Sequence, residues 1–369
     1  MLNITFDKLI SIFLLYGSGL YLTRVLPISP VYILLAFAFA LSLAQFSINR
    51  INKIWIASPI YLVLSLLSLL YVYSSPINMV FSIFLNILVI PMAYMSFNNK
   101  AIKNEFFLRV LYFYIVIFSL DALVRFYNPG LPENPERLDE LGLGYLIYKT
   151  NSIMYLDSNF VGVQITTYMV FFLFAFGYNK YCNISKLKFF VIILTFFILI
   201  LFTLSRAAIL CAIISIFVYL MIRTKNSRRL SLIIFPMFFL GAISSVFAYF
   251  SNDYSFNSKF TVISDFYDVF IELSWYELLF GIGLGNAVNV IGMGGHNLFI
   301  TVTLEMGLFG GIFLLGYFIY VSIMMKLDSL YTVLPFLILS MSLAGTALTY
   351  MFLLFQISIM LKKGKMRLS

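Results

Sequence analysis

An all-α bundle of transmembrane helices is the fold class this sequence predicts, and three observations predict it. The first is composition: of 369 residues, 62% are hydrophobic and 11% charged, where soluble domains carry roughly 25% charged residues. The mean hydropathy is +1.00. The second is run length. The apolar residues gather in continuous stretches of about 20, enough to cross a ~30 Å hydrocarbon core as helix. Lipid offers no partner to bare backbone groups, so a spanning segment is a helix or part of a closed barrel. These stretches do not alternate polar with apolar residues, which excludes barrel strands. The third observation is the placement of positive charge, which orders the helices.

In chain order the apolar runs fall near 9–23, 31–48, 54–73, 77–97, 106–126, 158–179, 188–204, 206–222, 230–250, 296–325, 330–344 and 346–361, about 12 spans. The pairs inside 188–222 and 330–361 are so close that each is either a short hairpin or one long helix. Charge decides. With a cytoplasmic N-terminus and twelve spans, only Arg24, Arg125, Arg137, Lys149, Arg206 and Lys259 of the 24 basic residues fall outside. Cytoplasmic connections retain Lys and Arg, so this division is the consistent one. Reading both pairs as single helices would invert the segment between them and strand Arg223, Lys225, Arg228 and Arg229 outside. Residues 1–369 are therefore expected to form a single integral membrane domain with both termini in the cytoplasm, in the inner membrane of a bacterium-like envelope.

The net charge of +9 is then an orientation signal and not a nucleic-acid patch. The first run has no small-x-small cleavage site and reads as a retained helix. Cys182 and Cys211 are badly placed for a bridge and say nothing about function.

Two outward segments exceed simple connectors, at approximately 127–157 and 251–295, and long loops in compact proteins are usually functional. The cytoplasmic connections are short and basic, so any chemistry faces outward. In the second loop Asp265, Asp268 and Glu272 share one helix face, while Phe266, Val269, Phe270 and Leu273 share another. This pattern predicts an amphipathic helix lying on the outer membrane–water interface. Its acidic face reads as a solvated face more readily than as a metal site. Gly281-Ile282-Gly283-Leu284-Gly285 lacks a dinucleotide-site context and predicts a tight turn ahead of a helix.

H-E-x-x-H, C-x-x-C and P-loop motifs are absent. What remains is where helices begin. The spans opening near 158, 206 and 296 all run from outside to inside, so their positive dipole ends face outward. Each start is polar: Asp157-Ser158-Asn159, Ser205-Arg206, and Gly294-Gly295-His296-Asn297. Convergence of such ends would make an anion site of the kind that binds phosphate.

Arg206 is the sharpest single residue. An intramembrane arginine costs roughly 2.5–3.5 kcal/mol on insertion scales, and its fork suits bidentate phosphate contact; the bland reading is snorkelling to the surface. Arg125 stands four residues after Asp121, so a structural ion pair competes with a phosphate role. Arg24, followed by prolines, reads as an interfacial anchor. His296 is the only histidine; with an unperturbed pKa near 6.5 it suits a general base, or it is structural. One histidine argues against a histidine-based metal centre. Glu305 lies about 180° around the helix from His296 and so packs on another helix or pairs with an arginine. Gly307 and Gly311 form a small-xxx-small pair for helix packing. Asp157 and Ser158 serve equally as a plain helix cap. Most tyrosines and phenylalanines are expected to face lipid.

The segment "SWYELLFGIGLGNAVNVIGMGGHNLFITVTLEMGLFGG" resembles the signature of the O-antigen polymerase and O-antigen ligase family: a glycine-rich turn, His-Asn opening a helix, then Glu-x-Gly. "TLSRAA" is similar to that family's Ser-Arg motif, with Ala207 where glycine is common. "YLDSNFVG" resembles its Asp-x-Asn segment and "DALVRF" an earlier arginine. The matches keep their order along roughly 120–315, about half the chain.

The resemblance implies a membrane glycosyltransferase with a GT-C-like core, working without cofactor or metal at the periplasmic face. Its donor would be an oligosaccharide on undecaprenyl diphosphate, with membrane lipid around it and a polysaccharide chain-length regulator as a further partner. Arg206 and Arg125 would bind the diphosphate and His296 would be the general base. Asn297, Asp157, Asn159, Ser205 and Glu305 would support them. The family splits into polymerases, which join repeat units, and ligases, which move finished chains to lipid A core. The polymerase is the expectation here; the ligase is the alternative. A transporter for the lipid-linked sugar is a different class, and would call for inverted repeats and midplane charges. A structural membrane subunit gives no reason for Arg206 or His296.

Overall fold

The computed structural model describes residues 6–44, 77–98, 100–130, 144–155, 157–177, 181, 184–223, 254–291, 297–341 and 348–368. Along the chain run α1 (Phe6–Gly17), α2 (Pro30–Ala44), α3 (Ile77–Phe97), β1 (Lys100–Ile102) and α4 (Asn104–Tyr127). A 3-10 turn at Gly144–Tyr148 precedes α5 (Ser158–Phe176), α6 (Lys186–Phe202) and α7 (Arg206–Arg223). Then come α8 (Tyr254–Glu272), α9 (Trp275–Phe280), α10 (Ala287–Ile291) and α11 (Leu298–Met325). The chain closes with α12 (Ser329–Ser340), α13 (Thr349–Lys362) and β2 (Met366–Leu368).

Each apolar run that falls on described residues forms a helix near its predicted bounds except the first, where α1 stops at Gly17, six residues short of 23; the runs near 54–73 and 230–250 lie outside the described residues. The protein is helical, and among the described residues four helices or helix pairs are long and apolar enough to cross a membrane: Asn104–Tyr127, Ser158–Phe176, Arg206–Arg223 and Leu298–Ser340. The run at 188–222 divides into α6 and α7 across Thr203–Ser205, where Leu204 takes a left-handed φ of 54°. The outward segment 251–295 departs from a loop, since α8, α9 and α10 occupy much of it.

The chain divides into two compact units, and the division crosses both α3, between Phe81 and Ser82, and α7, between Ile213 and Ile214. In the first unit α5 is the inner helix: nearly every residue from Val161 to Phe176 is buried, as expected of a helix that is hydrophobic all round. Asp157 caps its start by accepting from the Asn159 N–H. β1 and β2 pair in parallel, the one departure from helix and turn among the described residues, and tie the 100–102 segment to the C-terminal tail. Lys100 Nζ meets Asp7 at 2.5 Å, and Lys365 Nζ meets the Tyr94 hydroxyl at 3.1 Å. These contacts gather Asp7, Tyr94, Lys100 and Lys365 at one end of the unit.

The second unit contains the start of α3, the end of α7 and α8 to α12. α11 is one helix by sequence but is broken at Gly307, whose φ of 68° and ψ of −172° are non-helical. The break corrects the small-xxx-small reading, because Gly307 and Gly311 do not lie on one regular helix face. α11 ends at Lys326, and Arg223 Nη2 from α7 binds Asp328 Oδ1 at 2.8 Å just before α12.

The apolar face of α8 corrects another expectation. Val262 is buried against Ile282, Ala287, Ile291, Ile300 and Leu304, with Phe266, Val269 and Leu273 packed on the same cluster. Side chains expected in lipid are covered by protein, because the glycine-rich segment folds back beneath them.

Candidate functional site

In the first unit two of the predicted helix starts come together. Ser158 Oγ, at the start of α5, donates to the Thr203 carbonyl at 2.6 Å, just before α7. Gly162 allows the approach: a Cβ there would press on Ala208, Thr203 and Ser205. Thr203 is completed by its own hydroxyl, which donates to Ile200 O at 2.7 Å and accepts from the Ser205 N–H at 3.3 Å. The N-terminal ends of α5 and α7 therefore sit side by side, and their dipoles add positive potential in one place. Arg206 is the first residue of α7 and is partly exposed, while Ser205 before it is buried. Beside the α5 start, Lys149 Nζ donates to Asn159 Oδ1 at 3.3 Å and Asn159 Nδ2 donates to Asp157 Oδ2 at 2.9 Å. Asp157 is thus a helix cap and a brace for Asn159.

Arg125 is placed differently from Arg206. Its side chain is 1% exposed, and Nε meets Asp121 Oδ2 at 2.9 Å. Nη1 donates to the Phe202 carbonyl at 2.8 Å and to the Tyr148 carbonyl at 3.2 Å. The other Asp121 oxygen accepts from Ser152 Oγ at 2.6 Å and from the Ile153 N–H at 3.0 Å. One buried ion pair therefore fastens the end of α4 to the 3-10 turn, to the segment leading into α5, and to the turn that carries Ser205 and Arg206. Asp121 was visible in the sequence by its spacing of four; Ser152 and Thr203 gave no signal, since their partners lie far along the chain. Arg24 is exposed in the turn between α1 and α2, near exposed Val25, Leu26 and Ile28, as an interfacial anchor would be.

Behind this site lies a buried cluster of tyrosines, rings that stand apart from the many expected to face lipid. Tyr155 OH donates to Gln164 Oε1 at 2.7 Å, and Gln164 Nε2 donates to Gly19 O at 2.6 Å. The Tyr114 hydroxyl donates to Tyr16 O at 2.9 Å and accepts from the Gly19 N–H at 3.0 Å. The Tyr114 and Tyr168 rings pack at a tilt, 4.4 Å between centroids. The rings fill the space where α1 ends against α4, α5 and α13, and the Tyr114 hydroxyl serves the backbone at the end of α1. Burial pushes the Tyr155 phenol well above its usual pKa, with neighbouring Tyr350 adding to the shift.

The second unit holds the remaining predicted residues. Asn297 caps α11, its Oδ1 accepting from the Phe299 and Ile300 N–H groups at 3.0 and 3.3 Å. His296 lies outside the described residues. Glu305 is buried, and its carboxylate accepts from the backbone of the glycine-rich turn: the Ala287 N–H at 3.4 Å and the Gly285 N–H. Two backbone bonds support it, Ile282 N–H to Leu304 O at 2.8 Å and Gly283 N–H to Glu305 O at 3.2 Å. Glu305 thus meets another helix, the start of α10 at Ala287, as one of its two expected alternatives had it, and these bonds reach it through backbone and not through an arginine. It takes N–H groups that no side-chain pattern could announce.

The predicted tight turn is present, with Gly281, Gly283 and Gly285 all at positive φ. A Cβ at Gly281 would strike the Glu305 carbonyl, and one at Gly307 would strike the Leu279 carbonyl. The glycines let two backbones touch. Among the described residues no three His, Cys, Asp or Glu side chains come together as a metal-ligand set.

No protein-family model matches the chain, and no curated protein matches it. The fold and the site define a helical protein with helices suited to a membrane and a cationic pair of helix starts at one end of its first unit.

Proposed function

We propose that the protein is an O-antigen polymerase-type membrane glycosyltransferase that extends an undecaprenyl-diphosphate-linked oligosaccharide at the periplasmic face. The observation that carries this reading is the pairing of the α5 and α7 starts through Ser158 and Thr203, with Arg206 at the first position of α7. Paired N-termini and a guanidinium fork match the charge and shape of a diphosphate.

In this mechanism an acceptor hydroxyl attacks the anomeric carbon of the donor. The new glycosidic C–O bond forms as the bond to the diphosphate oxygen breaks, and the leaving group takes the electron pair. His296 accepts the hydroxyl proton. Arg206 stabilises the charge that develops on the diphosphate, the kind of preorganised electrostatic help that dominates many enzymes. Arg125 acts through its ion pair with Asp121, holding the Arg206 turn in place. Asn297 caps the helix that follows His296, and Glu305 fixes the glycine-rich turn before it. Asp157, Asn159 and Ser205 shape the α5 and α7 starts. About twelve spans and a GT-C-like core belong to this same proposal.

The test is complementation in a strain lacking the protein, with surface polysaccharide run on a gel and expression checked. Wild type restores a ladder of chain lengths, whereas His296→Ala and Arg206→Lys leave core bearing one repeat unit. Polymer stranded on the lipid carrier in the deletion strain would make the protein the ligase. Core with no repeat unit would make it a transporter. A full ladder from both variants would end the mechanism.

A further inference from the structure

α8 has three faces. Val262, Phe266, Val269 and Leu273 face the protein cluster described above. Ser264, Asp268 and Glu272 are exposed and polar. The third face is exposed and apolar: Ile263, Tyr267 and Ile271 follow one another at four-residue steps, and the last two are each 63% exposed. Residues four apart on a helix lie one above the other, so this is a continuous stripe. Trp275, 73% exposed, extends it past the Ser274 cap. The sequence pattern had assigned Phe266 and its neighbours to lipid; the fold uses those in its core, and this second stripe is left over.

What covers the stripe is indicated by α11 in the same unit. The first turns of α11, through Ile300 and Leu304, are covered by the α8 cluster. Past the break at Gly307 its outward side becomes apolar and exposed, at Phe309, Ile312, Leu315, Ile319 and Ile323. Half-buried Phe280 of α9 packs at a tilt against exposed Phe309 at 5.5 Å, so α9, which starts at exposed Trp275, ends against the apolar stripe of a helix suited to span a bilayer. A tryptophan and a tyrosine beside an acidic row are the side chains that settle where hydrocarbon meets water.

We propose that the Ile263–Tyr267–Ile271–Trp275 face lies in the interfacial layer of the bilayer, in the leaflet where α11 begins, with Asp268 and Glu272 toward water. α8 is then a lipid-seated platform. It fixes the depth at which the glycine-rich turn and the start of α11, both built on its opposite face, stand above the membrane.

The chain has two tryptophans, so Trp55→Phe leaves Trp275 as the sole tryptophan, excited at the red edge where tyrosine does not absorb. The full-length variant is reconstituted in phosphatidylethanolamine–phosphatidylglycerol vesicles containing phosphatidylcholine brominated either near the headgroup end of the acyl chains or near their terminal methyls. The expected result is a blue-shifted emission lost mainly to the shallow bromines and shielded from aqueous iodide. Adding Ile263→Gln and Ile271→Gln, which keep helix propensity, moves quenching from bromine to iodide. Emission quenched by iodide and untouched by either lipid would overturn the proposal by placing the face in water. Emission reached by neither quencher would overturn it by placing a protein surface there, a second copy or a partner.

Discussion

Arg125 and Asp121 form an ion pair that is almost fully buried, and its energetics follow from that burial. Breaking a buried pair by removing one partner costs about 3–5 kcal/mol, because a bare charge is left behind, whereas removing both is often near neutral. Arg125→Met and Asp121→Asn are therefore each expected to lower the thermal midpoint of the purified protein in detergent, and the double variant to recover much of the loss. Recovery of fold without recovery of activity would mark the pair as the positioning device of the Arg206 turn. Tyr155 makes a gentler case at the same scale. Tyr155→Phe leaves Gln164 Oε1 without the donor seen here, a loss of about 1–3 kcal/mol for a buried acceptor. The raised Tyr155 pKa also has a sign. In the unfolded chain the phenol ionises near about pH 10, while in the fold it stays neutral. Its stabilising contribution is complete below that pH and declines as pH rises above it. Alkaline unfolding in the wild type should therefore begin earlier than in Tyr155→Phe when each is measured relative to its own neutral-pH stability.

The glycines of α11 and of the turn before it separate two kinds of position that the sequence writes with one letter. Gly281 and Gly307 have positive φ, and each faces backbone where a Cβ would go. Left-handed backbone at a non-glycine residue costs about 1–3 kcal/mol even without a clash. Gly281→Ala and Gly307→Ala should both destabilise the second unit markedly in a thermal aggregation assay. Gly316 sits in the helical part of α11 with open space at its Cβ, so Gly316→Ala should raise stability, by up to about 1 kcal/mol from helix propensity. Opposite signs from the same substitution, within one helix, would support the description of the kink; equal signs would refute it. The element also shows where periodicity misleads. The face arithmetic for residues beyond Met306 assumes a regular 3.6-residue turn, and one left-handed glycine resets it.

At the scale of the molecule, the prediction concerns sides. Asp7, Lys100 and the C-terminal strand gather at one end of the first unit, and the Ser158–Thr203 contact joins segments assigned to the opposite membrane face. With Cys182 and Cys211 replaced by serine, Lys103→Cys and Lys365→Cys should resist a membrane-impermeant thiol reagent in cells with a permeabilised outer membrane. Thr150→Cys should react. Reversed labelling would turn the protein over and place Arg206 on the cytoplasmic side, which the polymerase proposal does not survive.

The sequence by itself determined the helices. Their apolar length, the cap at Asp157, the polar start at Asn297 and the glycine-rich turn are local properties, set by hydration and by backbone bonds between near neighbours. It also singled out Arg206 and the Asp121–Arg125 spacing for the same reason. The tertiary structure decided the rest, because those contacts join residues far apart in the chain. Only folding brings Ser158 to Thr203, gives Phe202 and Tyr148 carbonyls to Arg125, and buries the tyrosines around Gln164. Only folding turns the Glu305 carboxylate to the amides of Gly285 and Ala287. An apolar face reads the same in sequence whether lipid or protein covers it; for α8 the choice fell to the packing partners that the fold supplied.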